Sequence, residues 1–423
     1  MPHVFIHYNI KYIFFQLFLF TIYFLYDKIQ EINRLMEISM NIDSRVVLKR
    51  CEKYDCDEIY NIIKESINTL KPISSFINKD TKVFIKLNCV GGYTPESGIT
   101  THPVFVRSVV KLIKEYTDNI IIGDNPASKD IHSVLKKNGV MDIVNEYNLK
   151  IIDGSKQIKI TSNNYKIYST FNVSSDILDS DVIINLPKLK THTLTYMSCA
   201  QKNLFGVIFG LEKASWHAKA SNPLQFGEAL NDLYSAILNY HPTPILHICD
   251  GILGLDGEGP TTGGKSKKAN AILTSFDAIS LDRVALELLK LNKERYFLSR
   301  IALSRGLTNE KYSLIGSLDE FKDVKFDGPK NEITSFGLRL IRKRVFRNLL
   351  LEHPKVNKDK CIRCGECSKI CPPQTMKIEK GKYPHLTSRD CIRCWCCQEV
   401  CPQNAIYKTK RPLIGKIVFK IKL

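Results

Sequence analysis

Eight cysteines near the C-terminus are spaced in a way that strongly limits what the end of this chain can become. Two runs share the pattern C-x2-C-x2-C-x3-C followed by proline. The first run consists of Cys361, Cys364, Cys367 and Cys371, and the second of Cys391, Cys394, Cys397 and Cys401. Three thiolates at two-residue intervals can surround one face of a metal cluster. The fourth, before a proline that turns the chain, can reach across to a second cluster.

Iron–sulfur clusters explain this spacing better than zinc does. Zinc motifs use two C-x2-C pairs and leave the third and fourth cysteines of each run without a role, whereas soft thiolates at these intervals favour iron–sulfur binding. We therefore expect two [4Fe–4S] clusters. The expected ligands of cluster one are Cys361, Cys364, Cys367 and Cys401, and those of cluster two are Cys391, Cys394, Cys397 and Cys371.

Residues 356–408 resemble the bacterial two-[4Fe–4S] ferredoxin domain, because they contain both cysteine runs. Gly365 stands where that family often has glycine, whereas Trp395 at the matching place in the second run departs from the commonest form. A ninth thiol, Cys396, is either a buried free cysteine or a spare ligand or redox thiol. The basic side chains nearby either stabilise the reduced clusters or are ordinary surface charges. These are Arg363, Lys369, Arg389 and Arg393.

The rest of the chain is poor in cysteine, with only five of the fourteen. A secreted disulfide scaffold would be small and cysteine-dense throughout, so we expect a reducing, cytoplasmic compartment. The net charge of +18 is concentrated in residues 335–423, which contain 21 Lys and Arg but only six Asp and Glu. No RNA-binding signature, zinc finger or leucine zipper accompanies this basic end, so we expect a redox partner protein and no nucleic acid.

Residues 1–40 differ from the rest. Residues 12–26 carry no charge, but fifteen residues fall short of the ~20 that cross a bilayer. Three interpretations are open: an upstream mis-start, with translation beginning at Met36 or Met40; a membrane anchor over residues 5–26; or a signal peptide, for which a basic start and a cleavage site are not clear. The protein would be membrane-anchored if residues 5–26 are genuine.

Residues 41–334 alternate short apolar runs with longer amphipathic ones, which predicts an α/β domain around a largely parallel sheet flanked by helices. The predicted strands are 45–49, 82–87, 119–123, 150–153, 181–186, 245–249 and 271–274, and the predicted helices are 57–70, 103–116, 224–238 and 277–289.

A small α+β ferredoxin-type domain with two clusters is predicted to follow at 356–408. Between the two domains, residues 335–355 predict a basic amphipathic linker helix, which either docks the tail onto the first domain or lies on a membrane surface. Residues 409–423 form a basic tail with the same two interpretations.

Polar residues follow several of the predicted strands. Ligands bind beyond the carboxyl ends of the strands in open α/β sheets, and basic and amide groups gathered there suggest an anionic substrate such as a carboxylate or phosphate. The substrate-binding candidates are Lys86, Asn88, Lys188, Lys190, Lys202, Asn203 and Asp250, and the catalytic candidates are His102, His192 and Asp124. The lysines would anchor the anion and a histidine would move protons. Each residue alone is better explained as a surface lysine, a helix cap or a turn former, and only their recurrence at several strand ends supports a binding site.

Residues 259–266 match the phosphate-binding pattern G-x4-G-K-[ST], but in the wrong context. That loop needs a strand directly before it and a helix beginning at its lysine. Here a long loop precedes the motif and a strand-like run follows. We therefore do not predict ATP or GTP binding, and we interpret the motif as a glycine loop over an active site or a long turn.

Several stretches of the first domain resemble the family called domain of unknown function 362. They are IKLNCVGG, GITTHP, IIIGDNP, INLPKLKTHTLT with QKNLFG following, and DGILGLDGEGPTTGG with SFDAISLDRVA, and they lie within residues 46–291. That family is often fused to a C-terminal ferredoxin domain. The resemblance implies a shared fold and a shared redox setting, and it supplies no reaction.

Two functions fit these observations. In the first, the protein is an oxidoreductase whose clusters relay single electrons between an external carrier and an anionic small-molecule substrate held by the first domain. In the second, it is a non-catalytic electron carrier or redox-sensing module that serves a partner protein. A membrane-anchored form of electron transfer depends on the first forty residues.

The full chain, purified without oxygen, should contain about eight iron and eight acid-labile sulfide atoms, because two [4Fe–4S] clusters carry that number. Low-temperature EPR of the reduced protein should show the clusters. Stoichiometric zinc, or a lack of inorganic sulfide, would contradict the assignment.

Overall fold

A mixed sheet with helices on both faces forms the centre of the protein. The structure is a computed structural model that describes residues 42–126, 130–210, 212–220, 223–241, 243–261, 263–329, 344–387 and 390–418. The strands in these residues are β1 (Arg45–Arg50), β2 (Val83–Lys86), β3 (Ile120–Gly123), β4 (Lys150–Ile151), β5 (Gln157–Thr161), β6 (Thr170–Ser174), β7 (Val182–Asn185), β8 (Lys188–His192), β9 (Tyr196–Ser198), β10 (Leu246–Gly257), β11 (Gly264–Ser275), β12 (Ser313–Ile315), β13 (Pro354–Val356), β14 (Met376–Lys377), β15 (His385–Leu386) and β16 (Ile406–Lys408).

The central sheet has ten of these strands within the described residues. Eight of them lie in the order β12-β1-β11-β10-β7-β2-β3-β4, while β8 pairs with β10 and with β9.

The helices lie between these strands and in the tail. They are α1 (Cys56–Leu70), α2 (Pro103–Ile113), α3 (Ile131–Lys137), α4 (Met141–Glu146), α5 (Ser175–Leu178), α6 (Ala200–Asn203), α7 (Glu212–Lys219), α8 (Pro223–Tyr240), α9 (Ala278–Leu288), α10 (Phe297–Ser304), α11 (Arg344–Leu350), α12 (Glu366–Lys369), α13 (Cys396–Glu399) and α14 (Leu413–Val418).

The middle of the sheet is parallel, and its strands are buried on both faces. Strands β10, β7, β2, β3 and β4 pair in parallel, whereas β11 pairs antiparallel with β10 and with β1. The runs VFIK, IIIG and VIIN form β2, β3 and β7, as expected for strands that are covered on both sides. Their register places Lys86 beside Gly123 and beside Asn185, so the three strands end at one level. The residues that follow them therefore meet at one edge.

Two apolar cores, one on each face, hold the helices to the sheet. Ile59 and Ile63 of α1 belong to one core, together with Val109 of α2. Leu230 of α8 and Ile279 of α9 belong to the other. This arrangement confirms the predicted α/β fold with a largely parallel sheet.

Strand β8 was not predicted, because its sequence KLKTH is basic and yet all five residues are buried. A lysine is rarely buried without a partner, so the pattern indicated a loop. In the structure β8 runs beside the distal half of the long strand β10, with Lys188 opposite Asp250 and Lys190 opposite Leu255. Lys265 belongs to residues 259–266, which match the phosphate-binding pattern. It lies in strand β11 and does not begin a helix.

The cysteine tail is small and is built from short elements. Strand β13 pairs with β16 and β14 with β15, and each cysteine run ends in a one-turn helix, α12 or α13. Gly365 and Trp395 precede these two helices in the same left-handed conformation, with φ of 79° and 66°. Trp395 therefore adopts the conformation of the matching glycine, with its side chain buried beneath Lys408.

Parts of three predictions lie outside the described residues: the segment 1–40, most of the linker before α11, and the last residues of the basic tail. Of the linker, the described part forms α11, which packs against α14. None of the helices in the described part of the chain is long and apolar enough to cross a bilayer.

A buried carboxylate ties a surface loop to helix α8. Asp232 is fully buried and accepts hydrogen bonds from the backbone N–H groups of Lys166, Ile167 and Tyr168 at 2.7–2.9 Å. It also forms an ion pair with Arg305 at 2.9 Å. Removing the carboxylate would leave three backbone donors without their acceptor and would leave Arg305 with one carboxylate, Glu228, at 3.4 Å.

We expect Asp232→Ala to lower the free energy of unfolding by about 2–4 kcal/mol, because it leaves three backbone donors without an acceptor and removes one of the two carboxylates that pair with the buried Arg305. Urea denaturation followed by circular dichroism measures this change. The exposed Asp80→Ala serves as the control and should change stability by less than about 0.5 kcal/mol. Equal stabilities for the two variants would contradict the role of this carboxylate.

Candidate functional site

A cavity of about 120 Å³ opens beyond the carboxyl ends of the central strands. Six of the residues predicted from the sequence line it: Asn88, Asp124, Lys190, His192, Lys202 and Asn203. The cysteine tail forms another wall, with Ile370, Cys396, Glu399 and Val400. Pro260, from the glycine-containing loop, also lines it. A cavity of about 150 Å³ holds benzene, so this one suits a compact ligand.

Lys190 is held in the cavity wall by neutral groups. Its side chain is only 1% exposed, and its Nζ donates to Asn88 Oδ1 at 2.6 Å and to the Ile99 carbonyl at 2.9 Å. Burial lowers the pKa of Lys190 to about 7, and the positive charge of Lys202 acts in the same direction. The amine therefore titrates near neutral pH, and an anion bound beside it would favour the protonated form.

A chain of asparagine side chains determines which atom faces Lys190. Asn185 Nδ2 donates to the Ala200 carbonyl at 3.0 Å, so Asn185 Oδ1 accepts from Asn203 Nδ2 at 2.7 Å. Asn203 Oδ1 then accepts from Asn88 Nδ2 at 2.7 Å, which leaves Asn88 Oδ1 to accept from Lys190. The orientation of each amide depends on that of the amide before it. The Ala200 carbonyl orients the first amide, that of Asn185.

His247 ends this chain on the far side from the cavity. Its Nδ1 lies 2.9 Å from Asn185 Nδ2, which can only donate, so Nδ1 must be unprotonated. Burial lowers the pKa of His247 to about 3, which is consistent with a neutral ring. His247 is thus a positioning residue that acts on Lys190 through three amides.

Lys86 and Asp124 form a buried ion pair at the end of β2 and β3, with Lys86 Nζ 2.7 Å from Asp124 Oδ1. Burial raises the pKa of Asp124, but the charges of Lys86 and Lys213 outweigh burial and hold the pKa below its ordinary value. A Cβ on Gly206 would lie 2.3 Å from Lys86 Nζ, so only glycine allows the neighbouring turn to approach this pair. The two opposite charges cancel, so other residues must supply any charge that attracts a ligand.

Lys202 and Lys213 are the further cations of the cavity. Lys202 Nζ lies 4.6 Å from the centre of the Phe205 ring, and Lys213 donates to the Asn125 carbonyl. Burial lowers the pKa of both amines, that of Lys213 to about 8, while nearby carboxylates oppose the shift. Neither amine has a carboxylate within ion-pair distance in the described residues, so both can bind an anion.

His192 and Glu399 face each other across the two domains, with Nε2 and Oε1 3.9 Å apart. His192 Nδ1 accepts from the backbone N–H of Leu194 at 3.0 Å, so a neutral ring carries its proton on Nε2, toward the cavity. Burial raises the pKa of Glu399, although the charges of Lys202 and Lys190 lower it in part. Both side chains line the cavity, and His192 presents a hydrogen-bond donor to it.

Three predicted residues lie in a separate buried cluster and do not line the cavity. Lys188 Nζ contacts Asp250 Oδ2 at 2.7 Å and the Tyr54 hydroxyl at 2.8 Å. His102 stacks on Tyr54 at 3.5 Å, and its Nδ1 accepts from the backbone N–H of Val104, so it caps helix α2. Burial lowers the pKa of His102 to about 4. In this structure His102 has the contacts of a structural cap.

The cysteines of the expected cluster one come together. Cys361, Cys364, Cys367 and Cys401 line a second, smaller cavity in the tail. Burial, together with the charges of the other three cysteines, raises the pKa of the Cys367 thiol to about 12. Thiols in this setting ionise together only when bound iron compensates their charge.

The cysteines of the expected cluster two are also neighbours. Burial raises the pKa of Cys397, and the charges of Cys394, Cys391 and Cys371 add to that effect, with a further contribution from Cys367. In the described residues no three Cys, His, Asp or Glu side chains converge on a point where one ion could bind. The ligands of a cubane bind separate iron atoms and surround a larger space, so these donor sets fit such a cluster.

The fourth cysteine of each run receives a backbone hydrogen bond. The N–H of Met376 points to Cys371 Sγ at 3.4 Å, and that of Ala405 to Cys401 Sγ at 3.2 Å. Hydrogen bonds to cluster sulfurs raise the reduction potential. Arg393 does not face the clusters as a free charge, because it donates to the carbonyls of Glu352 and Cys391.

Some residues of the cavity were not predicted. Lys213 belongs to the polar helix α7, and Asn125 follows Asp124 at the end of β3, so their sequence contexts resemble a surface helix and a turn. Glu399 and Cys396 belong to the second cysteine run, and nothing in their spacing points to a neighbouring domain. Only the packing of α13 against the sheet edge shows their position, for example the Tyr93 hydroxyl donating to the Glu399 carbonyl.

Comparison with protein families matches both parts of the chain. Residues 83–287 match the domain of unknown function DUF362, and residues 360–408 match the 4Fe-4S dicluster domain. The chain carries a DUF362 domain followed by a 4Fe-4S dicluster domain. It is therefore an iron–sulfur protein, as the cysteine spacing predicted.

Individual proteins match the chain more weakly. A thylakoid-associated protein of Synechocystis sp. is 29% identical over 248 residues, which are 58% of this chain and 75% of that protein. A crystal structure from Thermotoga maritima has a TM-score of 0.39 at 11% identity and covers 57% of this chain and 61% of its own. The lactate racemase apoprotein of Thermoanaerobacterium thermosaccharolyticum has a TM-score of 0.37 at 14% identity and covers 59% and 57%. The chain thus spans less than two thirds of either solved chain.

Anion binding in the cavity should weaken as pH rises through about 7, because Lys190 then loses its proton. Oxalate is a suitable probe, since both of its carboxylates stay ionised in this range. Its dissociation constant, measured by calorimetry, should rise by up to about tenfold between about pH 6 and about pH 8.

Lys190→Met should bind oxalate more weakly and with a smaller dependence on pH, while deprotonation of Lys213 near pH 8 leaves a residual slope. Lys79→Met, at an exposed lysine outside the cavity, is the matched control. The assignment fails if Lys190→Met retains the full dependence on pH.

Proposed function

We propose that this protein is an electron-transfer enzyme that carries out a redox reaction on a compact anionic substrate, bound between the DUF362 domain and the dicluster domain. The observation that carries the proposal is the composition of one cavity. Lys190, Lys202 and Lys213 supply positive charge from the sheet domain, and helix α13 of the second cysteine run forms the facing wall.

Two [4Fe–4S] clusters would be held by the cysteine groups described above. Cluster one would take Cys361, Cys364, Cys367 and Cys401, and cluster two would take Cys391, Cys394, Cys397 and Cys371. When bound, the clusters would supply or accept single electrons. The proposal rests on the soft donors of both groups and on the space that the first group encloses.

Charge selects the class of substrate. The ion pair between Lys86 and Asp124 cancels, which leaves the amines of Lys190, Lys202 and Lys213 against one carboxylate, Glu399. A carboxylate or phosphate group would balance this excess and would form charge-assisted hydrogen bonds with the amines. The small volume favours a short carboxylic acid or a small phosphorylated compound over a nucleotide.

The protein residues would bind the substrate and move its protons. Lys202 and Lys213 would orient the anionic group, and Lys190 would be aimed by the fixed oxygen of Asn88. A two-electron reduction consumes two electrons, which a reduced one-electron carrier protein supplies in two encounters, and two protons, which Glu399 would donate one after the other and regain from solvent. In an oxidation the Glu399 carboxylate would accept the two protons and pass each to solvent, while the Nε2–H of His192 would donate a hydrogen bond to the substrate in both directions.

The exposure of the cysteines supports a route between a carrier and the substrate. Cys364 of the first group is exposed at the surface, whereas the buried Cys396, the chain neighbour of Cys397 in the second group, lines the cavity. A carrier would therefore approach the first group and the substrate would lie beside the second. Cys396, which is outside both ligand sets, would form part of the substrate wall.

Re-oxidation of the reduced protein tests this function. A panel of small carboxylates and phosphorylated compounds is added without oxygen, and the visible absorbance of the clusters is followed together with the mass of the product. At least one compound should re-oxidise the wild type and gain two hydrogen atoms. Lys202→Met should slow that reaction by at least about tenfold, because it loses a charge-assisted contact.

Ferricyanide, which needs no binding site, should re-oxidise the wild type and Lys202→Met equally and so show that the clusters are intact. Lys159→Met, at an exposed lysine of β5, is the matched control. If no small molecule accepts electrons but a carrier protein does, the enzyme proposal is wrong and the chain is an electron carrier.

A further inference from the structure

Helices α11 and α14 expose a concentrated set of large apolar side chains. The exposed residues are Val345, Phe346 and Leu349 on α11 and Leu413, Ile414 and Ile417 on α14. Leu413 is 72% exposed and Val345 is 66% exposed. In both helices the spacing is i, i+1 and i+4, which places the three side chains on one side of the helix. Concentrated exposure of this kind marks an interaction surface.

The two helices form one surface because they touch. A Cβ on Gly415 would lie 2.0 Å from the Leu350 carbonyl oxygen, so the glycine allows α14 to pack directly on the end of α11. Leu350 and Leu351 are buried at this contact. Arg411, just before α14, pairs with Glu352, just after α11, at 2.9 Å. The exposed apolar residues therefore lie within one small region.

The described part of this region is also basic. Residues 344–351 and 409–418 contain five Lys and Arg and no Asp or Glu. Lys410 and Lys416 are exposed and lie close in sequence to the apolar residues of α14, and Glu352, which follows α11, is paired with Arg411. An occupant of this surface must therefore be apolar where it meets the helices and negatively charged around them.

We propose that α11 and α14 together dock onto an anionic lipid surface. Helices of seven and six residues are about 10 Å long, too short to cross a bilayer, so they would lie in the interface with their apolar side chains among the acyl chains. Charge argues against other occupants. A second copy of the described surface would add five positive charges, and the uncharged residues 12–26 would neutralise none.

Docking would also orient the cluster domain. Arg393 of the second cysteine run donates to the Glu352 carbonyl at 2.7 Å and to Asn348 Oδ1 at 2.8 Å, so α11 is fixed to that run. A membrane to which α11 and α14 bind would therefore lie beside the dicluster domain. This inference does not depend on the reaction proposed above.

A tryptophan reporter tests the docking locally in the full chain. Ile414→Trp is mixed with vesicles of phosphatidylcholine, with or without phosphatidylglycerol, whose acyl chains carry bromine as a quencher. The native Trp216 and Trp395 are buried and form a constant background. Fluorescence of the reporter should be quenched only with phosphatidylglycerol, whereas Tyr165→Trp, at an exposed position in the first domain, should not be quenched.

Adding Lys410→Glu and Lys416→Glu to the reporter should raise the lipid concentration for half-maximal quenching by at least about tenfold, while Lys79→Glu with Lys159→Glu should not. The proposal is overturned if the chain binds vesicles without quenching at position 414, which would place the contact in another segment. It is also overturned if the reporter is quenched equally by neutral vesicles, or if its emission shifts with protein concentration alone, which would indicate self-association.

Discussion

The candidate site depends on burying several amines at one edge of a parallel sheet. Transfer of an ammonium group from water to a protein interior is unfavourable unless another group compensates its charge. Lys86 and Lys188 each have a carboxylate, Asp124 and Asp250, within 2.7 Å. Lys190 has only uncharged oxygens. Lys202 and Lys213 also lack a paired carboxylate in the described residues, and these three amines are the basis of the proposed affinity for anions. Burial shifts the titration of Lys190 to neutral pH.

Register and amide orientation make that arrangement rigid. Strands β2, β3 and β7 end at one level, so the residues that follow them meet at a single place. The asparagine chain from His247 to Asn88 then fixes one oxygen toward Lys190. Protonating His247, or turning one amide over, would change the group that Lys190 meets. The structure therefore links His247, which lies beside Asn185 on the adjacent strand β10, to the amide that faces Lys190.

The cysteine tail completes the site. Helix α13 brings Glu399 and Cys396 into the cavity wall, and the contact of Tyr93 with the Glu399 carbonyl holds the two domains together there. The residues on either side of Cys396 include the expected ligands of cluster two. Under the proposed function, a ligand in the cavity would lie close to a source of electrons.

Much of this organisation is predictable from local patterns, and the failures have physical reasons. Apolar runs such as IIIG and VIIN predict their strands because a strand buried on both faces needs no polar residue. The run KLKTH does not predict strand β8, because its lysines are tolerable in the interior only through Asp250 and Asn88, which come from other strands. His102 was expected at the site, but stacking on Tyr54 and capping of α2 place it in a separate cluster.

The sequence by itself determined the chemistry of the tail, because cysteine spacing alone decides which thiols can reach one cluster. It also determined where the central strands and helices follow one another along the chain, since their periodicity is local. Only the tertiary structure decided which amines are compensated, which face the cavity, and that Glu399 and Lys213 belong there. The energy of a charge depends on its burial and on the neighbours that folding brings to it, and residues far apart in the chain supply both.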